Sequence, residues 1–165
     1  MSDEFKITLA QLNATVGDLS GNNQKVMEAW EIARDERSDL IAFPEMFITG
    51  YNPQDLILKN AFQKAATSSI EQIAAACSQG PAIAIGGPFC DGDKLYNSYY
   101  ILAGGKIQAV IKKHHLPNEE VFDEVRLFSS GNVDGPFQIG EMRIGSPICE
   151  DAWHTDIVET LAETG

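Results

Sequence analysis

The sequence predicts an α/β fold in which helices cover a sheet. Three observations carry that prediction. Short apolar runs at residues 5–12, 40–43 and 82–85 alternate with two long stretches of helical periodicity. Two further runs, 97–102 and 106–111, flank Gly104-Gly105 as the arms of a hairpin would. The 165 residues are 44% hydrophobic and 22% charged, which is enough apolar material for one packed domain.

Taken in order, residues 5–12 read as a buried strand, with Ile7, Leu9 and Gln11 alternating against Lys6, Thr8 and Ala10. Turns follow at Val16-Gly17-Asp18 and Gly21-Asn22, and Asn22 or Asn23 is expected to cap a helix running to Glu36. Val26, Trp30 and Ala33 mark its inner face. Residues 40–43 form a short apolar strand stopped by Pro44. Gly50-Tyr51-Asn52-Pro53 is a turn. A second helix is expected over 62–78, with Ile70, Ile73 and Cys77 at helical spacing, and Gly80-Pro81 ends it. The strand at 82–85 leads into Gly86-Gly87. After the hairpin, residues 142–144 precede the segment around Cys149, and a last helix covers 155–163. Gly165 falls where a left-handed helix cap would sit. A layered α/β chain continues into another strand after such a cap, so the sequence is expected to be part of something longer.

Charge and cysteine usage narrow the function classes. The net charge is −12, from 24 acidic and 12 basic residues. Such a surface repels phosphate backbones and anionic lipid, so no nucleic acid and no membrane is expected as a partner. The three cysteines are odd in number and match no zinc spacing, which points to a reduced, cytoplasmic setting. Residues 1–6 are acidic and lack the basic start and apolar stretch of a signal peptide.

The chemistry concentrates at three junctions. Cys149 sits in Ile148-Cys149-Glu150-Asp151, between an expected strand and helix, where helix-start amides would favour a thiolate. A lone cysteine is more commonly an inert core residue, so the company it keeps matters. Glu45 follows a buried strand among Phe43, Pro44, Met46 and Phe47, and desolvation there would make it a better proton acceptor. Lys113 follows the second hairpin arm, where an ammonium could stabilise an oxyanion; Lys112 is expected to be an exposed surface lysine. Cys77 is expected in the core, and Cys90, just before the turn Asp91-Gly92-Asp93, is expected to be incidental. His114, His115 and His154 fit neither a thiol–imidazole relay nor, with Cys149, a metal spacing, so no metal site is expected. A thiol, a carboxylate and an ammonium are the parts of amide hydrolysis through a thioester.

These segments together resemble the nitrilase superfamily of carbon–nitrogen hydrolases. Within it they are most similar to the glutaminase domains of bacterial glutamine-dependent NAD+ synthetases. The likeness is carried by Gln11 through Asp18, Phe43-Pro44-Glu45-Met46-Phe47, Gly50-Tyr51-Asn52-Pro53-Gln54-Asp55-Leu56 and Leu95-Tyr96-Asn97-Ser98. It continues through Lys113 to Asn118, Val121-Phe122-Asp123-Glu124 and Ile148 to Trp153. The resemblance implies a four-layer αββα sandwich, incomplete here on its C-terminal side, with residues 1–165 as the N-terminal portion of the glutaminase domain. It implies Cys149 as nucleophile, Glu45 as general base, Lys113 as the stabilising lysine and Glu124 as an additional active-site glutamate. Glu150 matches a position that contacts glutamine. Glu119 stands where the family usually has a tyrosine against the glutamine, and Leu127 where an aromatic is usual. L-glutamine is the implied substrate, with no cofactor for its hydrolysis. ATP and Mg2+ would serve a synthetase domain that takes the ammonia to deamido-NAD+, and a homo-oligomer is implied. Two other readings also fit the residues: an amidase for a different small amide, or a catalytically silent piece.

Overall fold

The computed structural model describes residues 4–165; residues 1–3 of the acidic start lie outside the described residues. Three parallel strands come first, because each is joined to the next through a helix that must lie on a face of the sheet. They are β1 (Ile7–Leu9), β2 (Leu40–Ala42) and β3 (Ala82–Asp91), joined by α1 (Leu19–Asp35) and α2 (Asn60–Ala76). The register puts Ile7 opposite Leu40 and Leu40 opposite Ala82. Two tight turns then add β4 (Lys94–Ala103) and β5 (Lys106–Lys112) antiparallel, giving a five-stranded sheet in chain order. A separate hairpin, β6 (Phe137–Ile139) with β7 (Met142–Ile144), pairs the expected strand with one the sequence did not announce. The one-turn α3 (Glu124–Leu127) and the closing α4 (Thr155–Thr164) complete the α-helices.

Alternation along the strands sorts the core into two faces. On one, Ile41, Ile83, Ile85, Tyr100 and Leu102 meet Val26, Trp30 and Ala33 of α1 and Ala66, Ile70 and Ile73 of α2. The Trp30 indole N–H is satisfied by the carbonyl of Pro81 at 2.9 Å. On the other, Leu40, Ala82, Ala84 and Ile101 are met by Phe137, with Ile139 and Ile144 beside them. One helical layer on one sheet is thus in place, as an α/β fold requires. Among the described residues no helix is long and apolar enough to cross a membrane.

Two local expectations are corrected. The first strand is short, and its faces are the reverse of those expected. Leu9 is 73% exposed and Ile7 46%, while Ala10 is buried. β1 is an edge strand, Thr8 hydrogen-bonds the Ser38 hydroxyl at 2.6 Å, and it is the Thr8–Ala10 side that faces the helices. The cap of α1 is Asp18, whose carboxylate accepts the Gly21 N–H at 2.9 Å, so the helix begins before Asn22. Asn22 is buried instead. Its side chain accepts the Thr15 N–H at 2.8 Å and donates to the carbonyls of Thr15 and Ile48, at 2.8 and 3.1 Å. That fastens the loop before α1 to the segment that follows Glu45.

β3 runs on to Asp91 because β4 pairs with it that far, and Gly86 within it lets another chain segment lie against the strand. A Cβ at Gly86 would stand 2.1 Å from the Met46 nitrogen and 2.7 Å from the Glu45 Cα. The Gly86 carbonyl also accepts the Ile48 N–H at 3.1 Å. Gly86→Ala is therefore expected to destabilise the protein by about 1–3 kcal/mol in urea unfolding. Gly135→Ala, whose added methyl would meet Thr164 only at 3.6 Å, should stay within about 0.5 kcal/mol of the parent.

Candidate active site

Glu45 leaves the carboxyl end of β2, the end of a parallel sheet where ligands gather. The strand stops at Phe43, whose N–H donates to the Ala84 carbonyl at 2.8 Å and whose carbonyl accepts the Tyr99 hydroxyl at 2.6 Å. The chain then turns sharply, with Met46 at a φ of 50°. Lys113 directly follows β5. Its N–H donates to the Asn97 carbonyl at 2.9 Å and its carbonyl accepts the Gly131 N–H at 2.8 Å, so the backbone is pinned on both sides. The side chain is wholly buried. Glu124, also wholly buried, opens α3.

These three side chains meet. The Lys113 Nζ lies 2.6 Å from Glu45 Oε1 and 3.0 Å from Glu124 Oε2. Tyr51 donates its hydroxyl to Glu124 at 2.9 Å. Asn97, buried on β4, donates its side-chain N–H to Glu45 at 2.7 Å and lies 3.4 Å from both Glu124 oxygens. Two carboxylates against one ammonium leave the cluster one negative charge in excess. Burial works to lower the Lys113 pKa, but the charges and hydrogen bonds of Glu45 and Glu124 outweigh it and hold the ammonium above its ordinary value. Burial pushes Glu124 up, and the Glu45 charge adds to that; Lys113 and the Tyr51 hydroxyl oppose it. Burial and the two glutamates keep Tyr51 protonated.

Cys149 opens a five-residue 3-10 turn, Cys149–Trp153, at a φ of 46°. A positive φ on a non-glycine residue is a strained placement, of the kind found at functional sites. Asp151 holds the turn in place. Its carboxylate accepts the Ile148 N–H at 3.3 Å and the N–H groups of His114 and His115 at 3.2 and 2.7 Å. One buried side chain thereby ties the cysteine turn to the residues just after Lys113. Cys149 and Glu45 line one cavity of about 190 Å³ with Phe43, Tyr99, Ser146 and Pro147.

The expected helix-start thiolate is corrected. The Cys149 thiol is pushed above its ordinary pKa by desolvation and by the Glu45 charge, with Lys113 pulling the other way. A short 3-10 turn has few aligned peptides to supply a field, whereas a carboxylate beside the sulfur opposes a second negative charge. The arrangement holds a protonated thiol next to a carboxylate that can take its proton.

The remaining candidates do not line the Cys149 cavity. Glu119 and Glu150 both line a second cavity with His115, Phe122 and His154. Glu150 faces His154, with Oε1 3.3 Å from Nε2. His115 stacks on His154 with ring centroids 3.7 Å apart and pairs with Asp156 at 3.1 Å. His114, His115 and Asp156 each present a ligand-type atom within 4.8 Å of the others. Asp156 had no place among the sequence candidates. Lys112 is corrected from an exposed lysine: it is half-buried, lies over the rings of Phe89 and Tyr96, and pairs with Asp91 at 3.5 Å. Leu127, in place of an aromatic, is buried against Met46, Ile57 and Phe128. Cys77 is buried and Cys90 exposed. Asn97, Tyr51 and Asp151 are the site residues that the sequence reading assigned no role. All three lie inside quoted motifs, but their partners come from other segments.

The chain belongs to the carbon-nitrogen hydrolase family, whose sequence pattern matches residues 6–165. It is 49% identical over its whole length to the glutamine-dependent NAD(+) synthetase of Rhodobacter capsulatus, and it spans 30% of that protein. It is 39% identical over 94% of its length to the synthetase of Aquifex aeolicus, covering 27% of that protein. The chain thus spans about 30% of the length of the curated relatives it matches. Among solved structures, the glutamine-dependent NAD+ synthetase of Acinetobacter baumannii superposes with a TM-score of 0.87 at 32% identity, over 96% of this chain and 30% of that one. An amidase from Nesterenkonia sp. shares the fold at a TM-score of 0.82 and 22% identity, over 96% of this chain and 60% of the amidase.

Two outcomes follow from the cluster. Lys113→Met leaves two buried carboxylates facing one another and is expected to destabilise the protein by about 3–5 kcal/mol in urea at neutral pH. Adding Glu124→Gln should recover part of that loss. The rate of Cys149 alkylation by iodoacetamide, followed by mass spectrometry against pH, should rise to a midpoint above that of an ordinary thiol. Glu45→Gln should move this midpoint down, since the charge that opposes thiolate formation is gone.

Proposed function

We propose that this chain is the N-terminal portion of a glutaminase domain that hydrolyses the side-chain amide of L-glutamine and supplies ammonia for NAD+ synthesis. The observation that carries the reading is the Glu45–Lys113–Glu124 cluster, whose Glu45 lines one cavity with Cys149. The 49% identity to a glutamine-dependent NAD(+) synthetase supports the choice of glutamine among amides.

In this reading Glu45 accepts the thiol proton as Cys149 attacks the amide carbon. The raised thiol pKa makes that transfer part of the attack rather than a standing equilibrium. Lys113 and a backbone N–H beside Cys149 hold the tetrahedral oxyanion. Glu45 returns the proton to the departing ammonia, and water then cleaves the thioester to release glutamate. Glu124 fixes the ammonium of Lys113, while Glu119 and Glu150 contribute to the glutamine pocket. The hydrolysis calls for no cofactor. ATP and Mg2+ belong with the synthetase domain, which amidates deamido-NAD+ and would be carried elsewhere in the parent protein. Three free thiols suit the cytoplasm, and the parent protein is read as a homo-oligomer.

Ammonia release from L-glutamine by the full parent protein, beside its Cys149→Ala variant, tests the proposal. The variant should lose at least about a thousandfold in rate. Equal release by both would end it. Preference for another small ω-amide over glutamine, in a panel that includes asparagine, would reassign the substrate.

A further inference from the structure

We propose that Asn97 is a positioning residue for the hydrolysis: it holds the Glu45 carboxylate so that one of its oxygens is occupied and the other is left for the Cys149 proton. The inference rests on the hydrolase reading above and extends it to a residue outside the Glu–Lys–Cys set.

The side-chain amide of Asn97 has one orientation that the site permits. Its neighbours Glu45 and Glu124 can only accept hydrogen bonds, so the N–H end must face them; turned over, its oxygen would stand 2.7 Å from a carboxylate oxygen. The same Oε1 of Glu45 also takes the Lys113 ammonium at 2.6 Å. Two donors, one on β4 and one just after β5, thus converge on one oxygen, and among the described residues no donor is seen at Oε2. Fixing Oε1 from two directions stops the carboxylate from rotating about its last bond. It leaves Oε2 as the atom with free lone pairs for the thiol in the shared cavity.

Asn97 is suited to this by being neutral. Glu45 faces Lys113 from the end of β5, Glu124 from α3, Tyr51 from the loop after β2, and Cys149 from its turn. A second cation at position 97 would cancel the excess negative charge that lets Glu45 accept a proton. A neutral donor supports the charged form of the carboxylate without cancelling it. The backbone of Asn97 adds a second link, since its carbonyl receives the Lys113 N–H at 2.9 Å. One residue on β4 therefore sets the position of both Lys113 and Glu45. Its own Oδ1 is buried with no partner, so the placement is not one that side-chain hydrogen bonding of Asn97 alone would favour.

The test replaces Asn97 with Leu, which keeps the branched shape and removes the donor, with Asn97→Ser as a second variant should the larger Leu fail to fold. Circular dichroism and urea unfolding report folding. Two readouts are taken in the parent protein. In glutamine hydrolysis, kcat should fall about tenfold or more with KM within about twofold, and the acid limb of the kcat profile should move to higher pH. Infrared difference spectra, each variant against its own Glu45→Gln counterpart, isolate the Glu45 carboxylate stretching band without any substrate. That band should shift and broaden once the Asn97 hydrogen bond is gone. A folded variant with wild-type kcat and an unmoved carboxylate band overturns the proposal. If the wild type releases no ammonia from glutamine, the substrate reading fails on its own and the carboxylate band still decides the role of Asn97.

Discussion

The buried ammonium of Lys113 is the interaction on which the site depends. It joins carboxylates that arrive from the end of β2 and from α3, separated in sequence by 79 residues (124 − 45). Bringing Glu45 and Glu124 into one dry space would be prohibitive without a cation between them, and burying Lys113 would be equally so without both acids. The three are therefore placed together or not at all. That mutual requirement turns a sheet edge and two loops into a fixed geometry.

The surrounding backbone is arranged to hold that geometry. Gly86 lets the Glu45 segment lie flat on β3, and Asn22 stitches the far side of that segment to the loop before α1. Asp151 fastens the cysteine turn to the residues after Lys113. Met46 and Cys149, adjacent to or at the reactive groups, both carry positive φ. Such placements persist only where surrounding contacts over-determine them, as these do. The apolar cluster of Met46, Ile57, Leu127 and Phe128 supplies the dry floor beneath.

Electrostatics then set the style of the chemistry. Burial, reinforced by the Glu45 charge, keeps the Cys149 thiol protonated at rest, so its reactivity has to come from transfer to a neighbour at the moment of attack. Thiol–imidazole sites work differently, by stabilising a standing thiolate. The excess negative charge of the cluster explains why a neutral amide, that of Asn97, is the companion donor on Glu45.

Much of this was legible in the chain itself. Helical spacing in α1 and α2, the turn at Gly104-Gly105 and the apolar runs of β2 and β3 are local signals, set by periodicity and turn chemistry. Glu45, Lys113 and Cys149 stand at element boundaries, so their candidacy was local too, whereas Glu124 came from the family resemblance alone. The faces of β1 were not legible, because which side of an edge strand is covered depends on what packs there; Leu9 and Ala10 look alike to a periodicity argument. Asn97, Tyr51 and Asp151 were not assigned either. A hydrogen-bonding side chain has no meaning until its partner is known, and their partners lie 52, 73 and 36 residues away. The state of the Cys149 thiol belonged to the same class. Its sequence neighbours suggested a helix field, but burial and the charge of Glu45 decide it, and only the folded sheet supplies both.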